Sequence, residues 1–212
     1  MVFHSVPHIR SQFYFILFGI VKYNYVLCSM SPYLLSAINK FESDKTVDYS
    51  LSVEDFICQC YVKLAPNTYG TSIQERLRRE LGVTRVSASL GMGDFEFLRK
   101  YFELKVSFLS SRTDSYCITH IRQWQRFNYY LLCFVDCEDN FRPHYYLLDK
   151  HVVHRMRLGY MNGTPDANSD NHNVELRITI KKNSEDMKII KKFNLLEDTS
   201  LGSMKKFLKK LK

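Results

Sequence analysis

The chain has 212 residues, of which 45% are hydrophobic and 14% aromatic, and its formal net charge is +8 at neutral pH. This composition excludes an intrinsically disordered chain, and the length suits a single domain with a core of ample size. The excess of basic residues favours a polyanionic partner such as nucleic acid, although many basic proteins bind nothing of the kind.

The cysteine pattern argues against a zinc site. The chain has six cysteines, none of which forms a C-x2-C pair, and most of them lie within apolar runs. Buried free thiols of this kind are typical of a reducing compartment. A cytoplasmic location is therefore expected.

Residues 1–29 are interpreted as an extension that the fold does not require. The apolar run over residues 13–21 resembles a signal-peptide core, but it is too short to span a bilayer and no small-residue cleavage site follows it. Met30 precedes a favourable helix start, with Ser31 as N-cap and Pro32 at the first helical position. The native chain is therefore expected to begin at Met30, and a signal peptide is the alternative.

Three helices are predicted ahead of the first strand. Two of them carry apolar stripes and lie before Pro66, which is expected to break the helical pattern. The third covers residues 70–82 and ends at a glycine. Ser72 and Glu75 fit a capping box at its start, so Glu75 has a structural explanation as a helix cap.

A β-hairpin predicted over residues 93–106 carries the most informative polar pattern. Its two apolar runs are joined by an Arg-Lys tip, with Asp94 at the start of the first run and Glu103 and Lys105 inside the second. Because side chains alternate along a strand, Glu103 and Lys105 project from one face while Leu104 points into the core. Folding the hairpin back on itself brings Asp94 level with Glu103.

Two carboxylates and an ammonium group placed this close together need compensation. Paired carboxylates repel each other, and a divalent cation between them removes that cost. Mg²⁺ favours one or two carboxylates together with waters and phosphate oxygens, and a neighbouring lysine can hold or deprotonate a water. The alternative is an ordinary exposed hairpin face with alternating charges.

This Asp-x8-Glu-x-Lys arrangement resembles the signature of the PD-(D/E)xK nuclease superfamily, in which an Asp precedes Glu-x-Lys on the next strand. The resemblance covers about residues 75–150 and implies the α/β core of that superfamily. It also implies that Asp94, Glu103 and the carbonyl of Leu104 hold Mg²⁺. Lys105 would then position or activate the attacking water.

The resemblance extends to the helix ahead of the hairpin. A helix that opens Gly-x(3–4)-Glu-Arg just before the Asp strand resembles the leading helix of the superfamily, whose glutamate reaches the metal site. Glu75 occupies that position here, although the spacing is one residue longer than in archaeal junction resolvases. Glu80 is the substitute, because it lies on the side of the apolar stripe.

Residues 118–129 are predicted to form a helix with a polar amide, Gln125, on its inward face. Gln125-x-x-x-Tyr129 resembles the glutamine-tyrosine motif that follows the Glu-x-Lys strand in several branches of the superfamily. The resemblance implies that Gln125 supports the metal ligands from behind. The alternative is a core glutamine bonded to a neighbouring strand end. Trp124 is expected in the core rather than as a stacking platform.

The remaining pattern predicts strands over residues 128–136 and 145–148, then a helix capped by Asp149 and ending at Gly159. The expected fold is α/β, with a mixed central β-sheet flanked by helices in a restriction-endonuclease-like core. N-terminal helices and a basic C-terminal helix complete it. Residues 30–212 are expected to form a single nuclease domain with its core at 70–158.

Several polar residues are candidate DNA contacts. An amide-rich loop over residues 160–173 is interpreted as base-reading, because asparagine can pair with the adenine edge, and a plain surface loop is the alternative. The tail over residues 181–212 ends in an amphipathic helix behind Ser200 that could turn lysines towards phosphate, a dimer partner or a membrane surface. The loop over residues 110–114, which follows the Glu-x-Lys strand, is expected on the same side as the proposed metal site. The candidates are Arg112, Arg122, Asn162, Thr164, Asn168, Asn171, Lys205 and Lys206.

These patterns together predict a Mg²⁺-dependent, sequence-specific endonuclease, most like a type II restriction enzyme. Double-stranded DNA is the expected partner, a homodimer is the expected assembly, and no stable membrane association is expected. One alternative is a structure-selective nuclease such as a junction resolvase or a repair enzyme. Another is a basic DNA-binding module that does not cleave.

Overall fold

The computed structural model describes residues 47–87, 90–156, 158–160 and 175–211, together with Ser36. The 1–29 extension and the first predicted helix, apart from Ser36, lie outside these residues. Most of the 160–173 loop lies outside them as well, so the predictions made for these segments stay predictions.

Two helices precede six strands in the described chain, and one helix, two further strands and two helices follow. A short 3-10 turn at Cys137–Asp139 separates β5 from β6. In chain order they are α1 (Val53–Lys63), α2 (Pro66–Leu81), β1 (Thr84–Arg85), β2 (Phe95–Phe97), β3 (Lys100–Phe108), β4 (Ser115–Ile121), β5 (Tyr129–Val135), β6 (Pro143–Asp149), α3 (Lys150–His154), β7 (Gly159–Tyr160), β8 (Leu176–Lys181), α4 (Glu185–Lys192) and α5 (Leu201–Lys210).

The strands form a five-stranded sheet in the order β1-β2-β3-β5-β6 and a three-stranded sheet in the order β4-β8-β7. In the larger sheet β3 and β5 run parallel, whereas its other neighbouring strands run antiparallel. This confirms the predicted α/β class with a mixed central sheet. The predicted strands that became β5 and β6 are confirmed as well.

The larger sheet separates two hydrophobic cores. One face packs against α1, α2 and α5, and the other packs against the smaller sheet with α3 and α4. Residues on the helix-covered face include Phe56, Leu77, Leu104, Leu131 and Met204. Residues on the opposite face include Ile118, Tyr130, Leu132, Val153 and Ile190.

The predicted helix over residues 118–129 is wrong, because this segment forms β4 and then a loop leading into β5. The register between β4 and β8 shifts between Ile118 and Ile121, which marks a β-bulge. The bulge interrupts the two-residue alternation, so the buried isoleucines lie three positions apart, as on a helix. A bulged strand and a short helix are thus indistinguishable by apolar spacing alone.

Helix α2 begins at Pro66 rather than at residue 70, with Ala65 as its N-cap. Proline suits the first helical position because the N–H that it lacks would have no partner there. The predicted capping box of Ser72 and Glu75 is therefore wrong, since both lie inside the helix. The predicted end is confirmed, with Gly82 in the left-handed conformation at φ 63°.

Three further sequence predictions concern helix α3, the tip of the β2–β3 hairpin and helix α5. Asp149 caps α3 as predicted, accepting a hydrogen bond from the His151 N–H at 2.8 Å, but the helix ends at His154 rather than at Gly159. The hairpin tip lies at Leu98 and Arg99, one residue before the predicted Arg-Lys tip. The C-terminal amphipathic helix behind its Ser200 cap is confirmed as α5.

None of the helices in the described part of the chain is long and apolar enough to cross a membrane.

Candidate active site

The β2–β3 hairpin aligns Asp94 with Glu103, as its sequence predicts. Phe95 lies opposite Phe102 in the register of the two strands, so the preceding residue Asp94 lies opposite Glu103. The main-chain N–H of Asp94 donates to the Phe102 carbonyl at 2.8 Å, which continues the pairing one step beyond β2.

Gly93 allows this close pairing. Its φ of 91° lies in a region that side chains disfavour, and a Cβ added there would lie only 2.7 Å from the Phe102 carbonyl oxygen. Oδ2 of Asp94 then accepts a hydrogen bond from the Leu104 N–H at 2.8 Å. A glycine at this position is therefore what lets Asp94 reach the edge of β3.

Glu103 and Lys105 form a buried ion pair on one face of β3. The Lys105 Nζ lies 2.7 Å from Oε1 of Glu103, and the two side chains are 14% and 7% exposed. Strand alternation predicted that the two side chains share a face. Their burial was not predicted, because residues 118–121 of the covering sheet were expected to be helical. The alternative of an exposed, decorative hairpin face is wrong.

The β4 bulge supplies a further contact for the lysine. Lys105 Nζ donates to the main-chain carbonyl of His120 at 3.1 Å. His120 lies within the bulge and has a φ of 54°, in the left-handed region. Bulges commonly redirect groups beside functional sites, and this one presents a carbonyl to the lysine.

Burial and the neighbouring Glu103 raise the pKa of Asp94 to about 6 from its usual 3.8. The Lys105 charge and the hydrogen bond from the Leu104 N–H act in the opposite direction and do not offset the rise. The negative charge of Glu103 therefore disfavours the ionised form of Asp94. An additional cation beside it would favour the charged form and lower that pKa.

The Leu104 carbonyl lies on the same edge of β3 as Asp94, because the N–H and C=O of one residue leave a strand on the same side. Nε2 of Gln74 on α2 donates to this carbonyl at 2.7 Å. Gln74 was not predicted as a site residue, because the acidic residue beside it, Glu75, matched the superfamily pattern. The signal was its position one residue before Glu75, whose spacing from Gly70 is one residue longer than in the junction resolvases.

Glu75 is held by arginines of its own helix. It pairs with Arg78 and with Arg79, the latter at 2.9 Å, and the hydrogen bond from Arg79 is the main reason that its pKa is lowered. Arg78, which is 11% exposed, in turn lowers the pKa of Asp94. On α2 it is therefore Gln74 and Arg78, one turn apart, that act on the site.

Glu80, the substitute for Glu75, lies at 2.8 Å from Arg76 and 3.3 Å from Lys205 of α5. The structure thus places both predicted helix acids against basic side chains. Their metal-binding role stays a prediction, and Gln74 takes the place expected for them.

The donor set, which consists of oxygen atoms, suits Mg²⁺ better than zinc. Within the described ranges, no three or more histidine, cysteine, aspartate or glutamate residues form a cluster that could hold a metal. Zinc needs three or four such ligands, whereas Mg²⁺ accepts one or two carboxylates and completes its shell with water and phosphate oxygens. Asp94, Glu103 and the Leu104 carbonyl fit that requirement.

Gln125 is buried as predicted, with 7% of its surface exposed, but it lies in the loop before β5 rather than on a helix. Its main-chain carbonyl accepts a hydrogen bond from Lys150, while its Oε1 finds no partner among the residues that the structure describes. Trp124 beside it was expected in the core and is 42% exposed instead.

The basic candidates occupy different surroundings. Arg112 is exposed in the loop after β3. This loop begins five residues beyond Glu103 along β3, roughly 17 Å away at about 3.3 Å per residue, so it starts at a distance from the acidic cluster. Arg122 lies 2.6 Å from Glu175, which also contacts His120 at 2.6 Å.

The lysines of α5 also have acidic neighbours. Lys205 contacts Glu80, and Lys206 lies 3.7 Å from Glu197. The candidate base-contacting residues Asn162, Thr164, Asn168 and Asn171 lie outside the described residues. The DNA-binding role of all these residues stays a prediction.

No family model matches the chain, and no curated protein matches it. The superfamily resemblance therefore rests on the residues of the site itself.

Proposed function

We propose that the chain is a Mg²⁺-dependent DNA endonuclease of the PD-(D/E)xK type, which hydrolyses phosphodiester bonds. The observation that carries the proposal is the cluster that Asp94, Glu103 and Lys105 form at the β2–β3 hairpin, with the Leu104 carbonyl beside it. Its geometry is what the superfamily resemblance implies for a metal site.

The burial of these charged side chains supports a catalytic role for them. Moving charges out of water costs free energy that an ion pair only partly returns, and apolar side chains of similar volume are often at least as stable. Glu103 is only 5% exposed, and the raised pKa of Asp94 marks a further cost. A chain gains little stability from this arrangement, so catalysis is the better explanation for it.

The chain's own residues have distinct roles in this proposal. The carboxylates of Asp94 and Glu103 and the Leu104 carbonyl would hold the ion. When bound, Mg²⁺ would polarise the phosphodiester and help to neutralise the charge that develops on its oxygens. Gln74 would keep the Leu104 carbonyl oriented through its 2.7 Å hydrogen bond.

Lys105 is suited to hold the attacking water. An ammonium group has three N–H donors, and Glu103 and the His120 carbonyl take two of them. Within the described part of the chain, the third donor is left for a water or a phosphate oxygen. A fixed positive charge there also stabilises the negative charge of the transition state.

The proposal covers two forms of enzyme, which differ in substrate. The restriction-enzyme form depends on base contacts from the 160–173 loop. The structure-selective form is favoured by the exposed Trp124, which lies in the loop beside the site. A non-cleaving DNA-binding module would bind DNA but leave it intact.

Plasmid cleavage tests the proposal. Native protein should cut supercoiled DNA in Mg²⁺ and leave it intact in EDTA, whereas Asp94→Asn, Glu103→Gln and Lys105→Met should each abolish cutting. The matched control is Lys182→Met, because Lys182 pairs with the buried Asp136 at 2.8 Å outside the site. We expect this control to cut normally once its folding has been verified.

The outcomes separate the candidates. Discrete fragments identify the restriction form, and cutting confined to branched or partly unpaired DNA identifies the structure-selective form. Binding without cutting in either buffer identifies the module. If Asp94→Asn cuts at the native rate, the assignment of the metal site is wrong.

A further inference from the structure

We infer that Trp124 is a platform that stacks on an unpaired nucleobase of the DNA, so that the preferred substrate carries an unstacked base within a few nucleotides of the cleavage point. This inference rests on the proposed function and names its substrate class. Four properties of Trp124 support it: its exposure, the orientation of its ring, its closeness to Asp94, and a neighbouring arginine.

Trp124 is exposed although tryptophan normally contributes to cores and interfaces. It is the only tryptophan in the chain, and 42% of its surface is open to solvent. The adjoining part of the surface is apolar as well, because Leu90 is 61% exposed and directly precedes Gly91, which touches the ring.

Gly91 fixes the ring by its edge. A Cβ added at Gly91 would lie 3.0 Å from Cζ3 of Trp124, and 3.8 and 3.9 Å from the ring carbons Cη2 and Cε3 on either side. This spread indicates an approach within the ring plane, since an approach over the face would leave all three carbons nearly equidistant. Gly91 therefore positions the indole without covering either of its faces.

The ring is close to the proposed metal site. Gly91 and Asp94 are three residues apart, so their Cα atoms are separated by at most about 11 Å. That span corresponds to about three nucleotide steps at the 3.4 Å rise of a stacked strand. A base on the indole and the phosphate at Asp94 can therefore lie within a few nucleotides of each other on one strand.

Arg126 provides the charge that a nucleic acid requires. Its main-chain N–H donates to the Gly91 carbonyl at 2.7 Å, so it is fixed beside the same glycine as the indole. Its side chain is exposed, and no carboxylate pairs with it in the part of the chain that the structure describes. An aromatic face next to an available guanidinium is the combination that binds single-stranded nucleic acid, because every base has a face to stack.

Fluorescence of this single tryptophan reports stacking directly. The Asp94→Asn full-length chain should be titrated in EDTA with a short single strand, the matching perfect duplex, and the same duplex with a three-nucleotide unpaired stretch. We expect strong quenching by the single strand and by the interrupted duplex, and little by the perfect duplex. Equal quenching by all three DNAs, or none, would overturn the inference.

Binding by variants gives a second measurement. Trp124→Ala should weaken binding to the interrupted duplex by roughly 5- to 100-fold, as read by the anisotropy of a labelled DNA, and Trp124→Tyr should recover most of the loss. The matched control is Phe193→Ala, because Phe193 is similarly exposed, at 45%, but lies at the end of α4. Thermal melts verify that each variant is folded.

The two proposals fail in different ways. If native protein cuts in Mg²⁺ while Trp124→Ala binds all DNAs like the native chain, the platform is wrong and the nuclease stands. If quenching and the loss of affinity occur but nothing is cut, the nuclease is wrong and the platform stands.

Discussion

Strands β3 and β5 lie side by side in the same sheet, yet they differ on the face that the smaller sheet covers. On β5 that face carries Tyr130, Leu132 and Phe134, all buried. In register with them, β3 carries Glu103, Lys105 and Ser107. Two neighbouring strands thus bury the same face, one with apolar side chains and the other with polar ones.

The difference shows that the polar face of β3 is not required to build this fold. An apolar strand in the same environment forms the sheet equally well, and buried charges seldom add stability over apolar groups. We interpret β5 as a strand that holds the sheet together and β3 as one that gives up stability to support a site. Substitutions on β3, β5 and α5 test this division, and the largest effect is expected at Lys105.

Lys105→Met should destabilise the fold by about 3–5 kcal/mol at neutral pH, because it leaves the Glu103 carboxylate buried without its partner. Adding Glu103→Gln to the same chain should recover most of that loss. Urea denaturation of the native protein, both single variants and the double variant measures the coupling. A double variant no more stable than Lys105→Met would contradict the division between the strands.

Leu132→Ala should cost about 2–5 kcal/mol, because Leu132 is fully buried and its truncation leaves a cavity between the two sheets. The remaining folded protein should still cut DNA, since Leu132 only packs beside Lys105. Thermal melts combined with cleavage per folded molecule measure both effects. Selective loss of activity in fully folded protein would mean that β5 also belongs to the site.

Asp94→Asn should remove a pH dependence of stability. Because the folded state raises the pKa of Asp94 from 3.8 to about 6, it holds this proton more tightly than the unfolded chain does. The free energy of unfolding should therefore fall as the pH rises from about 4 to about 6 and then level off, by about 3 kcal/mol in total. Denaturation in EDTA across this range should show the slope in native protein and lose it in the variant.

Ser107→Val makes β3 more like β5 at a position outside the metal site. Oγ of Ser107 accepts the Cys117 N–H of β4 at 2.9 Å, so its loss should cost about 1 kcal/mol by leaving that donor without its partner. We expect unchanged cleavage, because this serine links the two sheets. Denaturation and plasmid assays measure the two effects, and loss of cleavage in the folded variant would give Ser107 a role in the site.

The smallest effects on stability are expected on α5. Lys206→Gln, which loses a 3.7 Å contact with the exposed Glu197, should leave the free energy of unfolding almost unchanged, because exposed ion pairs contribute little. If this lysine contacts phosphate, binding to all DNA sequences should weaken alike, and the slope of affinity against salt should fall by about one. An unchanged slope would show that this lysine lies away from the DNA.

The parts of the fold that were predictable depend on neighbours along the chain. Alternation placed Glu103 and Lys105 on one face, and a hairpin needs only a short turn to align Asp94 with them. The caps of α3 and α5 at Asp149 and Ser200 were found for the same reason, since each cap acts within its own first turn.

The errors arose where distant parts of the chain decide the structure. Residues 115–121 form a strand because β8, some sixty residues later, pairs with them, and no local pattern reveals that partner. Gln74 was overlooked because its partner, the Leu104 carbonyl, belongs to the main chain and has no identity in the sequence. Burial of the Glu103–Lys105 pair followed from the same unseen second sheet.

The main-chain contact to Lys105 has an evolutionary consequence. Every amino acid has a main-chain carbonyl, so the hydrogen bond that His120 accepts from Lys105 does not depend on the imidazole side chain. What it demands is the left-handed conformation at that position, which glycine, asparagine and aspartate also adopt readily. Homologues could therefore vary freely among these residues at position 120 while they keep the lysine in place. A search for invariant side chains would pass over this element of the site.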